Sequence, residues 1–470
     1  MNISKLAIDA IAVLGSIMVI VVIICSADCN KVSYQLNATG QVLCYDENGN
    51  VIEPPTIGDL LFGQDANYLT GAEMSFKDNG DGTVSDLNTA LMWQQTPPVE
   101  GMTWAQAQEY CENLELGGYS DWRLPTLKEL FSISDFSAGW PYIDTAFFDL
   151  SSEHVSKDEQ YWADNRYVGE TVEGRDDAAF GVNHVTGHIK AYPSGSNMTS
   201  RGGSRPEGAP NSQGGERGER PQGEERGERP QGGPNAQGGE RPQGGERGER
   251  PQGGPNAQGG ERPQGEERGE RTQGGSNAQQ GSRQMGNNPM AKQVRAVRGN
   301  LYGENKFVDN GDGTISDVAT GLMWSKDDNG EGIEWIDALP YAEGATLAGY
   351  SDWRLPNVKE LQSIVDYSRA PSSKGVEAAI DPIFNSTPFV NEAGDDDYGY
   401  YWTGTSACFT KGRPFYFAWY VAFGRAVNSE GKDFHGAGAV RFDSKSNNDI
   451  TVEGGEERYF NFVRLVRSIK

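Results

Sequence analysis

The sequence predicts two tandem modules, each mixing two short helices with β-strands, the first opened by a long low-complexity insertion. Three observations carry this. The stretch FKDNGDGTVSDLNTALMW at 76–93 returns as FVDNGDGTISDVATGLMW at 307–324, with 13 of 18 positions identical. The offset of 231 then holds from Trp104 to Trp335, Tyr110 to Tyr341 and Trp122 to Trp353, so the copies run without gaps over that span. Thirdly, the tract 201–283 contains no aromatic residue and no Val, Ile or Leu, which leaves the rest of the chain rich enough to build cores.

Residues 1–27 read as a signal peptide. Lys5 opens it, Ala10 to Ile24 is apolar apart from Gly15 and Ser16, and Cys25-Ser26-Ala27 offers small residues for cleavage. The run is short against the roughly 20 residues a membrane span needs. Export to the exterior or the cell surface is therefore expected, without membrane attachment after cleavage; a retained anchor is the alternative.

Residues 28–75 form a lead segment. Asn48-Gly49 suggests a small hairpin, ended by Pro54-Pro55. Cys29 and Cys44 flank a short stretch and are a disulfide candidate worth about 3 kcal/mol. Cys111 and Cys408 sit in different copies.

The first module covers 76–193 plus 291–300. It starts as a hairpin and a strand, broken at Asn79-Gly80 and Asp81-Gly82. Thr103 with Gln106 caps a helix whose Trp104, Ala107, Cys111 and Leu114 share one face. Thr126 with Glu129 caps a second helix, backed by Leu127, Leu130 and Ile133. Strands follow at Tyr161-Trp162 and Ala179-Phe180, and QVRAVRG at 293–299 closes the module with strand alternation. The second module, 305–470, repeats the plan with Asn357 and Glu360 as caps, Tyr401-Trp402, Ala418-Trp419 and a closing FVRLVRS at 462–468. Pro340 falls inside its first helix, where proline costs about 3 kcal/mol, so a break or shortening is expected there.

The insertion, 194–290, holds a unit of 21 residues at 232–252 that recurs at 253–273. Its Gly-Glu-Arg triplets do not keep glycine at every third position, which excludes a collagen helix. With 13 Arg and 13 Glu over 201–283 and no apolar side chain to bury, it is expected to be disordered. These charges cancel, so the net charge of −26 belongs to the residues outside that tract. A surface this acidic repels nucleic acid and anionic lipid.

Groups that catalyse or bind metal are sparse. Asp78, Asp81 and Asp86, like their copies in GDGTISD, are out of phase for a calcium loop and fit turns better. Asp395-Asp396-Asp397 reads as a solvated loop. His184 and His188 are four apart but flank Gly187 in a β-like context, and His154 and His435 are isolated. There is no P-loop, CxxC or local Ser-His-Asp signature. No catalytic residue, cofactor or metal is assigned. The twice-written phrase GYSDWRLP lies between one helix and the cap of the next. Trp104, Trp122 and Arg123, with Trp335, Trp353 and Arg354, are therefore read as structural.

The ordered set DNGDGT, LMW, WxxA, GYSDWRLPxxKEL, YW and VRxVR, present twice, resembles the C-terminal domain family of the Legionella collagen-like adhesin. It covers 76–193 with 293–299, and 307–470. More distantly it resembles the C-type-lectin-like and formylglycine-generating-enzyme-like folds. That likeness implies an α+β fold: two tandem C-type-lectin-like modules, each with two helices and a small twisted antiparallel sheet. It also implies a cysteine pair between the first helix and the closing strand. Cys111 occupies the helix place, but Ala296, Ala342 and Leu465 fill the others. The family implies adhesion through sulfated glycosaminoglycans; an excess of 26 negative charges opposes a polyanion. The expected function is a non-enzymatic binding or adhesion protein with an extracellular glycan or protein ligand, possible as a homo-oligomer. The alternative is a structural subunit of an extracellular fibre or surface layer.

Overall fold

The computed structural model describes residues 32–151, 159–170, 177–194, 291–371, 377–391, 393–408, 414–425, 427, 433–446 and 459–469. The chain divides into two units, Met1–Gly202 with Asn288–Lys470, and Gly203–Asn287; all described residues belong to the first. The signal-like segment, Cys29, His154 and the insertion after Ser194 lie outside the described residues.

The lead segment carries β1 (Cys44–Tyr45), β2 (Val51–Ile52) and the one-turn helix α1 (Asp65–Tyr68). The first repeat follows with β3 (Phe76–Asp78), β4 (Thr83–Asp86), β5 (Met92–Gln94), α2 (Trp104–Glu112), α3 (Leu127–Ser132), β6 (Gln160–Arg166), β7 (Ala178–Asn183), β8 (Ile189–Pro193) and β9 (Val297–Arg298). The second has β10 (Phe307–Asp309), β11 (Thr314–Asp317), β12 (Leu322–Ser325), α4 (Trp335–Glu343) and α5 (Val358–Ser363). It ends with β13 (Pro388–Val390), β14 (Asp396–Tyr398), β15 (Tyr400–Ala407), β16 (Phe417–Ala422), β17 (Val440–Ser444) and β18 (Val466–Ser468).

Two tandem α+β, C-type-lectin-like modules, each with two helices and its own small sheet, are not what forms. The chain is mostly β. Among the described residues there are 5 helices of four to nine residues against 18 strands in five sheets. The caps expected from Thr103, Thr126 and Asn357 do form, each with its capping box. The helices behind them stay short, however, and strands take over the chain. Strands β6 to β8 and β15 to β17 do not make two small sheets either. They join into one six-stranded sheet in the order β15-β16-β17-β8-β7-β6, the seam lying where Val440 pairs with Ile189. Each half is the other's mirror in order, so the repeats are related by a pseudo-two-fold axis through the seam. Each repeat keeps a four-stranded sheet of its own, β3-β4-β5-β9 and β10-β11-β12-β18, in which the closing strand pairs with the LMW strand.

The core is continuous across the seam. Phe136 of the first repeat meets Trp419 edge-on at 5.4 Å, and its counterpart Tyr367 meets Phe180, the counterpart of Trp419, at 5.0 Å. Gly187 sits against this cluster at φ +78; a Cβ there would come within 2.8 Å of Tyr142 and 2.9 Å of Trp419. Aromatic pairs in this geometry stabilise by about 0.5–1.5 kcal/mol beyond their buried area.

Helix α4 corrects a second expectation. It spans nine residues, the same as α2, with Pro340 inside it. Pro340 is exposed, while Trp335, Ala338, Leu339 and Ala342 are buried on the opposite face. The missing hydrogen bond thus falls on the wet side of the helix, where water can serve the freed carbonyl.

Candidate functional site

The repeated phrase is wired into the closing strand. Asp121 accepts two bonds from Arg298 (2.7 and 3.0 Å), and Asp352 does the same for Arg467 (2.7 and 3.1 Å). Trp122 and Trp353 each donate through Nε1 to a carbonyl six residues back, Leu116 and Leu347. Trp104 donates to the Ala163 carbonyl and Trp335 to that of Thr403, fixing α2 and α4 to the shared sheet. Arg123 grips Glu129 with two 2.7 Å bonds, and Arg354 grips Glu360 likewise. Glu129 and Glu360 are at the same time the capping-box acids of α3 and α5. Arg295 and Arg464, both without exposed surface, each donate to three main-chain carbonyls across the core. Each of these groups is spent on the protein itself.

The other acidic and basic candidates are engaged similarly. Asp81 and Asp312 accept from the amide and hydroxyl of Thr83 and Thr314, closing tight turns. Asp397 is buried and accepts from Asn391, Tyr398 and Arg425. His184 is buried against Tyr161, and His188 bonds Thr186 and Tyr192. Among the described residues no cluster of three His, Cys, Asp or Glu side chains could hold a metal, and no helix is long and apolar enough to cross a membrane. Cys44 is buried in β1; its candidate partner Cys29 is outside the described residues. Burial pushes the Cys111 thiol up to about 12, the state of an inert core thiol.

What remains open is a groove beside the pseudo-two-fold axis. The axis generates two equivalent grooves. One, around Lys359 of α5, is filled by the lead segment. Lys359 Nζ donates to the carbonyls of Ala38 and Ser132 (both 2.9 Å) and touches Met74 Sδ, using all three of its donors. The Phe136 amide donates to the Thr39 carbonyl at 2.7 Å. Gln41 exchanges two bonds with the Ser406 main chain. Thr405 donates to Asp65, and Asn357 to Thr70. Gly40 lies flat on Asp135 and Ser137 at φ +84, where a Cβ would come within 2.8 Å of Asp135 Oδ1. Burial lowers Lys359 to about 7 and raises Asp65 to about 6.

The twin groove, around Lys128 of α3, is an open cleft of about 530 Å³. Its lining includes Thr126, Lys128, Asn165, Asp366, Tyr367 and Ser368. These are the counterparts of Asn357, Lys359, Thr405, Asp135, Phe136 and Ser137, the residues that hold the lead segment on the other side. The equivalence extends to local bonds. Asn165 accepts from the Leu127 amide as Thr405 does from Val358, and Asp366 accepts from Ser368 N as Asp135 does from Ser137 N. The groove is therefore preformed. Lys128 spends two donors, on the Gly303 carbonyl and on Asn305 Oδ1 (2.6 Å), and keeps one. Among the described residues the Tyr367 amide and Asn165 Nδ2 have no protein acceptor. Burial lowers Lys128 to about 8, although part of its side chain stays accessible at the cleft.

None of these cleft residues stands out from the sequence as a site. The legible signal was an asymmetry: about forty residues of lead precede the first copy, whereas a handful, 299–306, separate the second from the first module's last strand.

Residues 82–201 and 313–443, more than half of the chain, match the family described as the Lcl C-terminal domain. The chain belongs to the Lcl C-terminal domain family. The two matched regions hold all six cleft residues and their six counterparts, so both grooves are built on Lcl C-terminal domain sequence. The lead segment that fills one groove, and the two closing strands, lie outside them. No curated protein and no solved structure matches the chain.

Proposed function

We propose that this chain is an exported, non-enzymatic binding protein that takes an extracellular protein or glycan in the cleft beside Lys128. The observation that carries the reading is that cleft: a preformed groove of about 530 Å³ with unspent hydrogen-bond donors, whose twin on the same molecule holds a polypeptide. Unpaired donors in a concave site favour a ligand rich in carbonyls or hydroxyls. The signal-like residues 1–27 support action outside the cytoplasm, and membership of an adhesin-associated domain family supports a binding role. Neither nucleic acid nor polyanionic glycan suits a chain of net charge −26.

The test is a panel of immobilised neutral and anionic glycans and extracellular matrix proteins, probed with the full chain and with Ser368→Arg. Ser368 is exposed at the cleft, and arginine fills it without touching the core. The chain is expected to retain at least one panel member that the variant releases. Failure of the chain to bind any member, or equal binding by the variant, contradicts the proposal.

A further inference from the structure

The filled groove specifies its occupant closely. Ala38 offers its carbonyl to the lysine, Thr39 offers its carbonyl to the phenylalanine amide, and Gly40 passes where no side chain fits. Asn37 precedes them, its side chain bonded to Asp86 and the Ser132 carbonyl. The order is Asn-Ala-x-Gly, with glycine demanded twice over, by the positive φ and by the contact with Asp135.

The same order is written twice more in this chain, as Asn235-Ala236-Gln237-Gly238 and Asn256-Ala257-Gln258-Gly259. Both lie in the insertion, at the same place in its unit of 21 residues. We propose that the open cleft of one copy takes an Asn-Ala-Gln-Gly segment from the insertion of a second copy, so that the protein is a self-recognising adhesin. The inference rests on the cleft being a binding site, and names its partner.

The complementarity covers the two carbonyls and the glycine; the place of Asn37 is not among them, because Asp317, the counterpart of Asp86, already accepts from Asn305. The third Lys128 donor meets the carbonyl of Ala236 or Ala257, as Lys359 meets that of Ala38. The Tyr367 amide meets the carbonyl of Gln237 or Gln258, as Phe136 meets that of Thr39. Gly238 or Gly259 lies on Asp366 and Ser368, as Gly40 lies on Asp135 and Ser137. Asn165 Nδ2 supplies one further donor. Main-chain bonds of this type give affinity, and the glycine position gives specificity. Two motifs per insertion let one copy engage two neighbours, which raises the avidity of an individually weak contact.

The experiment uses the full chain in sedimentation velocity over a concentration series, beside the double variant Gly238→Ala/Gly259→Ala and the cleft variant Ser368→Arg. A synthetic peptide spanning Gly233–Arg241 serves as competitor. The chain is expected to associate, both variants to associate on the order of tenfold or more weakly, and the peptide to reverse association. The glycine changes lie outside the unit that holds the cleft, so their effect cannot come from unfolding of the cleft. Tryptophan fluorescence checks that Ser368→Arg remains folded. Association that is absent, or indifferent to the glycine changes, overturns the inference. Peptide binding at the cleft without self-association overturns the second copy as occupant. In either case loss of panel binding by Ser368→Arg still upholds the cleft as a site, so the two readings fail separately.

Discussion

Arg354 and Glu360 lie 2.7 Å apart with side chains 5% and 3% exposed, whereas Arg123, in the equivalent pair, is 29% exposed. Removing one partner of a buried pair strands the other charge, at a cost of about 3–5 kcal/mol. Arg354→Ala should therefore lower urea-unfolding stability by about that amount, and Arg123→Ala by less, because Arg123 is itself part-exposed and its removal opens the buried Glu129 carboxylate to water. Arg354→Met with Glu360→Gln, which keeps an α5 cap, should recover much of the loss. Equal effects at the two arginines would contradict this reading. Asp65 gives a pH test. Burial raises its folded pKa from 3.8 to about 6, opposed by hydrogen bonds from Thr39 and Thr405. The fold thus holds this proton more tightly than the unfolded chain. Its contribution is fully present below about pH 3.8 and is lost as pH rises through about 6. Asp65→Asn removes that loss. The variant should match the parent at pH 4 and exceed it by about 2–3 kcal/mol at pH 8. Thermal unfolding at the two pH values checks the sign.

Pro340 carries the argument at the scale of an element. It sits on the wet face of α4, and Pro340→Ala should stabilise the protein by about 1–3 kcal/mol by restoring a helix hydrogen bond. Calorimetry showing no gain would mean that the proline is compensated by its neighbours. The capping boxes at Thr103, Thr126 and Asn357 were legible because they depend on residues three apart, which the sequence displays directly. The tolerance for Pro340 was not, because it depends on which side of α4 meets water. Nor was the joined sheet. Strands β8 and β17 do not stand out from the sequence, and nothing local in Ile189 or Val440 announces that they pair with each other. The resemblance to smaller lectin-like modules misled for the same reason: it described each copy as if alone. The cleft escaped notice because Lys128 and Lys359 occupy identical places in the two phrases. Only the path of the lead segment makes one engaged and the other open.

At the scale of the molecule, the two repeats behave as an internal dimer with a shared sheet and a shared aromatic core. Cutting the chain at the seam would expose the edges of β8 and β17 together with Phe180 and Trp419. Residues 305–470 made alone should therefore be unfolded or self-associated, and the full chain should lose the structure of both repeats in one cooperative urea transition. Two separated transitions would contradict a common core. The pseudo-two-fold axis also explains how one molecule carries two matching grooves and needs a ligand for only one. The most direct measurement is amide hydrogen exchange at two positions. Phe136 donates to the Thr39 carbonyl of the lead segment, whereas its counterpart Tyr367 has no protein acceptor among the described residues. In dilute protein Phe136 should exchange slowly and Tyr367 fast, with Tyr367 slowing once the Gly233–Arg241 peptide is added. Equal protection of the two amides in the free protein, or a Tyr367 amide indifferent to every ligand of the panel and to the peptide, would contradict a filled groove and an open twin.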